Sequence, residues 1–133
     1  TQGSDTIIAW SDGSFFEKTK VLHLPVSELV TEEIRNNPQK SGDTTGCGDN
    51  FVGGVIASIA WQRQSANSGL LDLIEACAWG VSSGGYTCFY IGGTYHESSP
   101  GEKLNKIKPY YNAYKKQIQY LNKPGFKSRI FRA

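Results

Sequence analysis

The stretch Gly42-Asp43-Thr44-Thr45-Gly46-Cys47-Gly48-Asp49-Asn50-Phe51 constrains this chain more than any other. Three glycines, two threonines and two aspartates fall in ten residues. An apolar helical pattern begins directly behind them, at Phe51. Glycine lets the backbone turn so that successive N–H groups converge on one point, and a helix N-terminus adds partial positive charge there. The spacing therefore predicts an anion site. Asp49 falls where that positive end is strongest, either as a helix-capping residue or as a base held beside a bound phosphate.

The commoner phosphate loops do not fit. A P-loop needs a lysine directly after its last glycine, and none follows here. The dinucleotide fingerprint needs a third glycine where Phe51 stands. Read as Asp43-Thr44-Thr45-Gly46-Cys47-Gly48-Asp49-Asn50-Phe51, the stretch closely resembles the C-terminal signature of the ribokinase (PfkB) family of carbohydrate and nucleoside kinases, Asp-Thr-x-Gly-Ala-Gly-Asp-x-Phe. Cys47 replaces the family's alanine, a small change where only a backbone N–H is used.

The resemblance implies an α/β fold of the ribokinase-like, three-layer α/β/α (Rossmann-like) kind. This chain would form its C-terminal portion, a β-hairpin and strands followed by three helices. It implies ATP-dependent phosphorylation of a hydroxyl group on a sugar or nucleoside, with Asp49 as catalytic base and Gly46, Cys47 and Gly48 as the anion hole. Asp43, Thr45 and the later Gly93 would help place a cation, potassium in many family members, and magnesium would arrive with ATP. Thr1-Gln2-Gly3 resembles the family's Thr-x-Gly beside the nucleotide, although Thr6 stands where a further glycine is common. The family's adenine pocket borders the helix that carries Ser83 and Gly84. An asparagine often bonds the base there, and none lies between Asn67 and Asn105.

Phosphoryl transfer to an alcohol needs fixed donors for the charge on the transferring group and a base for the hydroxyl proton. Backbone N–H groups across Gly46-Cys47-Gly48 meet the first need without a lysine. Asp49 meets the second, since a carboxylate need take the proton only as the new bond forms.

Ahead of the signature, Asp12-Gly13 lies between the β-prone runs 6–11 and 14–17, a strong hairpin signal. Thr19 to Leu24 reads as another strand, with Val21 and His23 on one face and Leu22 and Leu24 on the other; His23 reads as a half-buried strand residue. Residues 26–39 allow a short helix where the family has a short strand.

Behind the signature, Phe51, Val55 and Ile59, with Val52, Ile56 and Ala60, predict a largely buried helix from Asp49 to Gln62. Gly53 and Gly54 weaken it unless something packs closely there. A second helix is predicted from Leu70 to Thr87. Its small-residue tail, Gly80 to Gly85, would admit another backbone or a flat ring, and Cys77 and Cys88 read as small core residues. Ser99-Pro100-Gly101-Glu102 reads as a capping box. The apolar stripe Leu104, Ile107, Tyr111, Tyr114, Ile118 and Leu121 follows, and Pro109 inside it predicts a kink or split. The lysines 103, 106, 108, 115 and 116 read as a mostly solvated face.

The 133 residues suffice for one domain with a core. The chain contains no methionine, and family members run considerably longer. We therefore expect residues 1–133 to be the back part of a kinase, with 122–133 a basic tail outside the resemblance. The family binds its acceptor mainly through the front part and a β lid, which predicts that the isolated piece has no kinase activity. The lid would also carry the contacts of any parent homodimer. A net charge of +2 argues for no particular partner. The basic residues from Lys103 to Arg132 lack interleaved base-stacking aromatics in any module pattern, and acidic residues nearly balance the charge overall, so no nucleic-acid partner is expected. No apolar run reaches the roughly 18 residues of a membrane span. Three cysteines without Cys-x-x-Cys spacing suit a reduced, cytoplasmic setting. The alternative is a non-catalytic nucleotide- or phosphate-binding module that kept the loop and lost the acceptor site.

Overall fold

The computed structural model describes residues 3–65, 69–93 and 95–121. They form a mixed α/β arrangement of four α-helices and a two-stranded antiparallel sheet. Strand β1 (Ile7–Ser11) pairs with β2 (Thr19–Leu24), and α1 (Glu28–Asn36) and a single 3-10 turn (Pro38–Lys40) follow. The remaining helices are α2 (Cys47–Ser65), α3 (Leu73–Thr87) and α4 (Glu102–Leu121). Four helices stand after the hairpin rather than three, because α1 occupies the segment before the signature.

The hairpin is wider than Asp12-Gly13 alone predicts. That pair does turn the chain: Gly13 has φ +93°, and the Asp12 carboxylate accepts bonds from the Ser14 N–H at 2.9 Å and the Ser14 hydroxyl at 2.6 Å. The strand opposite β1, however, is Thr19–Leu24, with Ile7 facing Leu24 and Ala9 facing Leu22. Residues 14–17 leave the ladder and join Leu71 instead. Leu71 N–H donates to the Phe15 carbonyl at 3.0 Å, and Glu17 N–H donates to the Leu71 carbonyl at 2.8 Å. Leu71 is almost fully buried, so its backbone polar groups need protein partners, and this segment supplies them.

One side of the hairpin makes the core. Ile7, Leu22 and Leu24 pack with Cys77, Ala78 and Val81 of α3 and with Tyr114 and Ile118 of α4. Tyr114 is fully buried, and its hydroxyl donates to the Pro25 carbonyl at 2.7 Å. The other side of the hairpin leaves Ile8, Trp10 and Val21 exposed.

Three helical expectations are corrected. First, α2 is not largely buried. Of its residues only Gly54 and Ser58 are buried, and Val52 and Ile56 are 53% and 59% exposed. The reason is that α3 covers one face of α2, while the 52/56 row points away from it. Second, α3 starts at Leu73 rather than Leu70. The Asp72 side chain accepts the Glu75 N–H at 3.0 Å and caps the helix there, while Leu70 stays exposed. Third, the capping box of α4 does not form as spelled. Gly101 has φ +84°, which is not helical, and Ser99 offers its backbone carbonyl to the Glu102 N–H at 3.2 Å. The Glu102 carboxylate reaches past it to the Ser98 N–H at 2.6 Å and the Tyr95 hydroxyl at 2.7 Å. Pro109 sits inside one continuous α4 and does not split it.

Candidate functional site

The signature is held in a frame of backbone bonds before any side chain acts. Gly42 N–H donates to the Cys88 carbonyl at 2.8 Å, and Asp43 N–H donates to the Tyr90 carbonyl at 3.0 Å. The end of α3 thus fixes the entry to the loop. The Asp43 carboxylate then accepts the Thr45 N–H at 2.9 Å and the Gly92 N–H at 3.2 Å, tying the signature to the second glycine turn. Gly93 lies against Thr45 so closely that an added Cβ would collide with the Thr45 carbonyl, and its φ is +67°. Both facts require glycine there. The three residues expected near a cation, Asp43, Thr45 and Gly93, are therefore brought together.

Gly46 makes the bend with φ +76°, and α2 starts at the next residue. The opening N–H groups of a helix lack intrahelical partners, and Cys47, Gly48 and Asp49 form that opening turn of α2. Cys47 N–H turns back to the Thr44 carbonyl at 3.2 Å, which leaves it less available than the sequence suggests. Gly48 is exposed, and a Cβ built on it would meet no atom within 4 Å. Asp49 is exposed beside it, in the first turn of α2.

Asn50, the variable position of the signature, turns out to be the structural hub. Its amide NH2 donates to the Gly46 carbonyl at 2.9 Å and to the Gly93 carbonyl at 3.1 Å, bridging the two glycine turns. Its carbonyl accepts the Lys103 ammonium at 2.7 Å. Sequence reading missed both residues. Asn50 had a weak signal, being four residues from Gly46 on one helical face. Lys103 had none, because its contact spans 53 residues and its place among other lysines reads as solvated surface.

Asp49, Asn50, Gly53, Trp79, Ser83 and Lys103 line part of a cleft of about 540 Å³ between α2, α3 and the start of α4. Trp79 forms one wall, stacked on Tyr111 with ring centroids 4.0 Å apart. Behind it the Glu75 carboxylate accepts bonds from the Trp79 indole at 3.2 Å, the Tyr111 hydroxyl at 2.5 Å and the Lys115 ammonium at 2.8 Å. Burial alone would push the Glu75 carboxyl up. The bonds from Lys115, Tyr111 and Trp79 outweigh it and hold the group below the usual carboxylate range.

Of the residues expected at the nucleotide, Ser83 is buried at the cleft wall. Gly84 serves the helix seam instead: a Cβ there would lie 2.8 Å from the Cys47 carbonyl. Gly3 is exposed in a turn ahead of β1, with φ +63°, and Thr1 lies outside the described residues, as does the 122–133 tail. The Cys47 thiol faces the Cys88 thiol with the sulfurs 3.1 Å apart. Burial, then the Cys88 thiol, push the Cys47 pKa up to about 12, so the group is a neutral thiol at pH 7. Among the described residues no helix is long and apolar enough to cross a membrane.

No family model matches the chain, and no curated protein or solved structure is significantly similar to it.

Proposed function

We propose that this chain is the nucleotide-binding and catalytic part of an ATP-dependent kinase that phosphorylates a hydroxyl group on a sugar or related small molecule. The observation that carries the reading is the start of α2. A left-handed glycine, Gly46, begins a helix whose first turn presents an exposed Gly48 and an exposed Asp49 beside an open cleft. Such a turn would put an anion site and a carboxylate side by side, the arrangement in-line transfer requires.

In this reading Asp49 takes the acceptor proton, and the N–H groups of Gly48 and its neighbours hold the charge of the transferring group. The space over Gly48, which a Cβ would fill, suits a phosphate at the helix terminus. Bound ATP supplies the phosphoryl group, with magnesium held largely by phosphates and water. Asp43, Thr45 and Gly93 offer carboxylate and backbone oxygens, the donor type a hard cation such as potassium takes. The hairpin would be one side of a larger three-layer α/β/α sheet. Its exposed Ile8, Trp10 and Val21 support that reading, since apolar residues on the outer face of two strands call for cover.

The test is a calorimetric titration with magnesium-ATP of the chain and its Gly48→Val variant, with melting curves of both. Because the position faces open space, the variant should fold. We expect saturable binding by the chain, weakened at least tenfold in the variant, with little change in melting. Equal binding by both would overturn the phosphate site. In the longest form of the protein that turns over, Asp49→Asn should abolish transfer to sugars and nucleosides; unchanged turnover would remove the base.

A further inference from the structure

Cys47 and Cys88 meet at one end of the seam between α2 and α3. Cys47 opens α2, and Cys88 caps the end of α3. Their sulfurs are 3.1 Å apart, and both residues are part-exposed rather than sealed in the core. The backbone around them is already fixed. Gly42 is bonded to the Cys88 carbonyl and Asp43 to the Tyr90 carbonyl, while Gly84 lies against the Cys47 carbonyl. A disulfide needs its sulfurs at about 2.0 Å, so side-chain rotation and a shift of roughly 1 Å at the sulfurs would complete one.

We propose that Cys47 and Cys88 form a reversible redox latch, a modification site that fastens the start of the glycine loop's helix to the end of α3. The oxidant is a small-molecule disulfide of the glutathione class. Cys88 loses its proton and attacks the oxidised glutathione, forming a mixed disulfide and releasing one glutathione thiolate. Cys47, a neutral thiol at pH 7, then gives up its proton as it attacks the Cys88 sulfur of that mixed disulfide and expels the other. Two protein thiols are oxidised to one disulfide, and one oxidised glutathione is reduced to two glutathione molecules, which carry the two protons. In a reduced compartment such a pair stays open and closes only under oxidative load, the usual behaviour of an intracellular disulfide. The latch goes beyond the kinase reading and stands whether or not the loop holds phosphate.

Cys77 is the internal control. It is buried on α3 in the core cluster, beyond easy reach of the oxidant. The experiment incubates the reduced chain with oxidised glutathione at graded ratios to reduced glutathione, then blocks remaining thiols by alkylation. Intact mass and peptide mapping follow, with melting curves before and after. The expected product is monomeric, lighter by two hydrogens, with Cys47 joined to Cys88 and Cys77 alkylated only after unfolding. Its melting temperature should rise, because the cross-link restricts the unfolded chain between 47 and 88. Reduction should restore the starting value, and Cys88→Ser should take up no internal cross-link and show no rise. Glutathione adducts alone, a bond to Cys77, a dimer, or an unchanged mass would each overturn the latch, as would a cross-linked chain that melts lower.

Discussion

The seam between α2 and α3 and the β1–β2 hairpin are joined through one core yet solve packing in opposite ways. At the seam two helix backbones approach through glycine. An added Cβ on Gly54 would lie 2.5 Å from the Trp79 carbonyl oxygen, one on Gly80 would meet the Phe51 ring at 2.9 Å, and one on Gly84 the Cys47 carbonyl at 2.8 Å. The hairpin relies on side-chain volume instead. Leu22 and Leu24 are completely buried in the core, while Trp10, two residues before the turn, is 64% exposed. The difference shows what each region is for. The seam holds the helix that carries the signature loop, because Cys47, Phe51 and Gly54 all lie along it. The hairpin supplies apolar mass on one side and keeps an apolar face on the other.

The largest expected effect tests the hairpin's half of this contrast. Leu22→Ala should cost about 2–5 kcal/mol by denaturant melt, through lost burial and the cavity left behind. Trp10→Ser, on the opposite face, should stay within about 0.5 kcal/mol. Equal effects would mean that the two faces are not distinct in solution.

Next comes the seam. Gly54→Ala puts a methyl group onto backbone that cannot rotate away, and we expect a loss of about 1–3 kcal/mol. Its neighbour sharpens the point. Gly53 faces open space, so Gly53→Ala should stabilise the chain by about 1 kcal/mol through helix propensity alone. A pair of adjacent glycines with opposite signs on one melting assay would establish the close approach; two effects of the same sign would refute it.

The smallest effect concerns the group that braces Trp79 behind the seam. The folded-state pKa of Glu75 is lowered, so its ionised form contributes stability above the unfolded carboxyl pKa. That contribution fades as pH falls through the lower, folded value. Its partner Lys115 and Glu75 itself remain about a quarter exposed, so solvent weakens the pair. Glu75→Gln should cost about 1 kcal/mol at pH 7, with the difference from the parent chain shrinking toward zero in acid. A pH-independent difference would mean that packing, not charge, supports the tryptophan.

Much of the site was legible because it is local. The turn at Gly46 and the placing of Asp49 in the first turn of the helix behind it depend on residues within one loop, and glycine spacing encodes them directly, although α2 starts at Cys47 and ends at Ser65 rather than running from Asp49 to Gln62. Burial of the α4 stripe at Ile107, Tyr114 and Ile118 was likewise written in its 3.6-residue period. The unforeseen parts are contacts between distant segments. Asp12-Gly13 announced a turn but could not say that residues 14–17 would bond to Leu71. The apolar rows of α2 announced a packed helix but could not say that α3 would cover only one of them.

What the sequence determined by itself was the helical or extended period of the main elements, the glycine loop, the two faces of β2 and the inward stripe of α4, since period and turn chemistry act over a few residues. Tertiary structure alone decided that Asn50 bridges two glycine turns, that Lys103 reaches it from α4, and that Cys47 meets Cys88. Each of those contacts joins residues more than 40 positions apart, except for Asn50's own bond to Gly46. Bringing such pairs together has a chain-entropy cost that only the packed core offsets, so no local pattern encodes them.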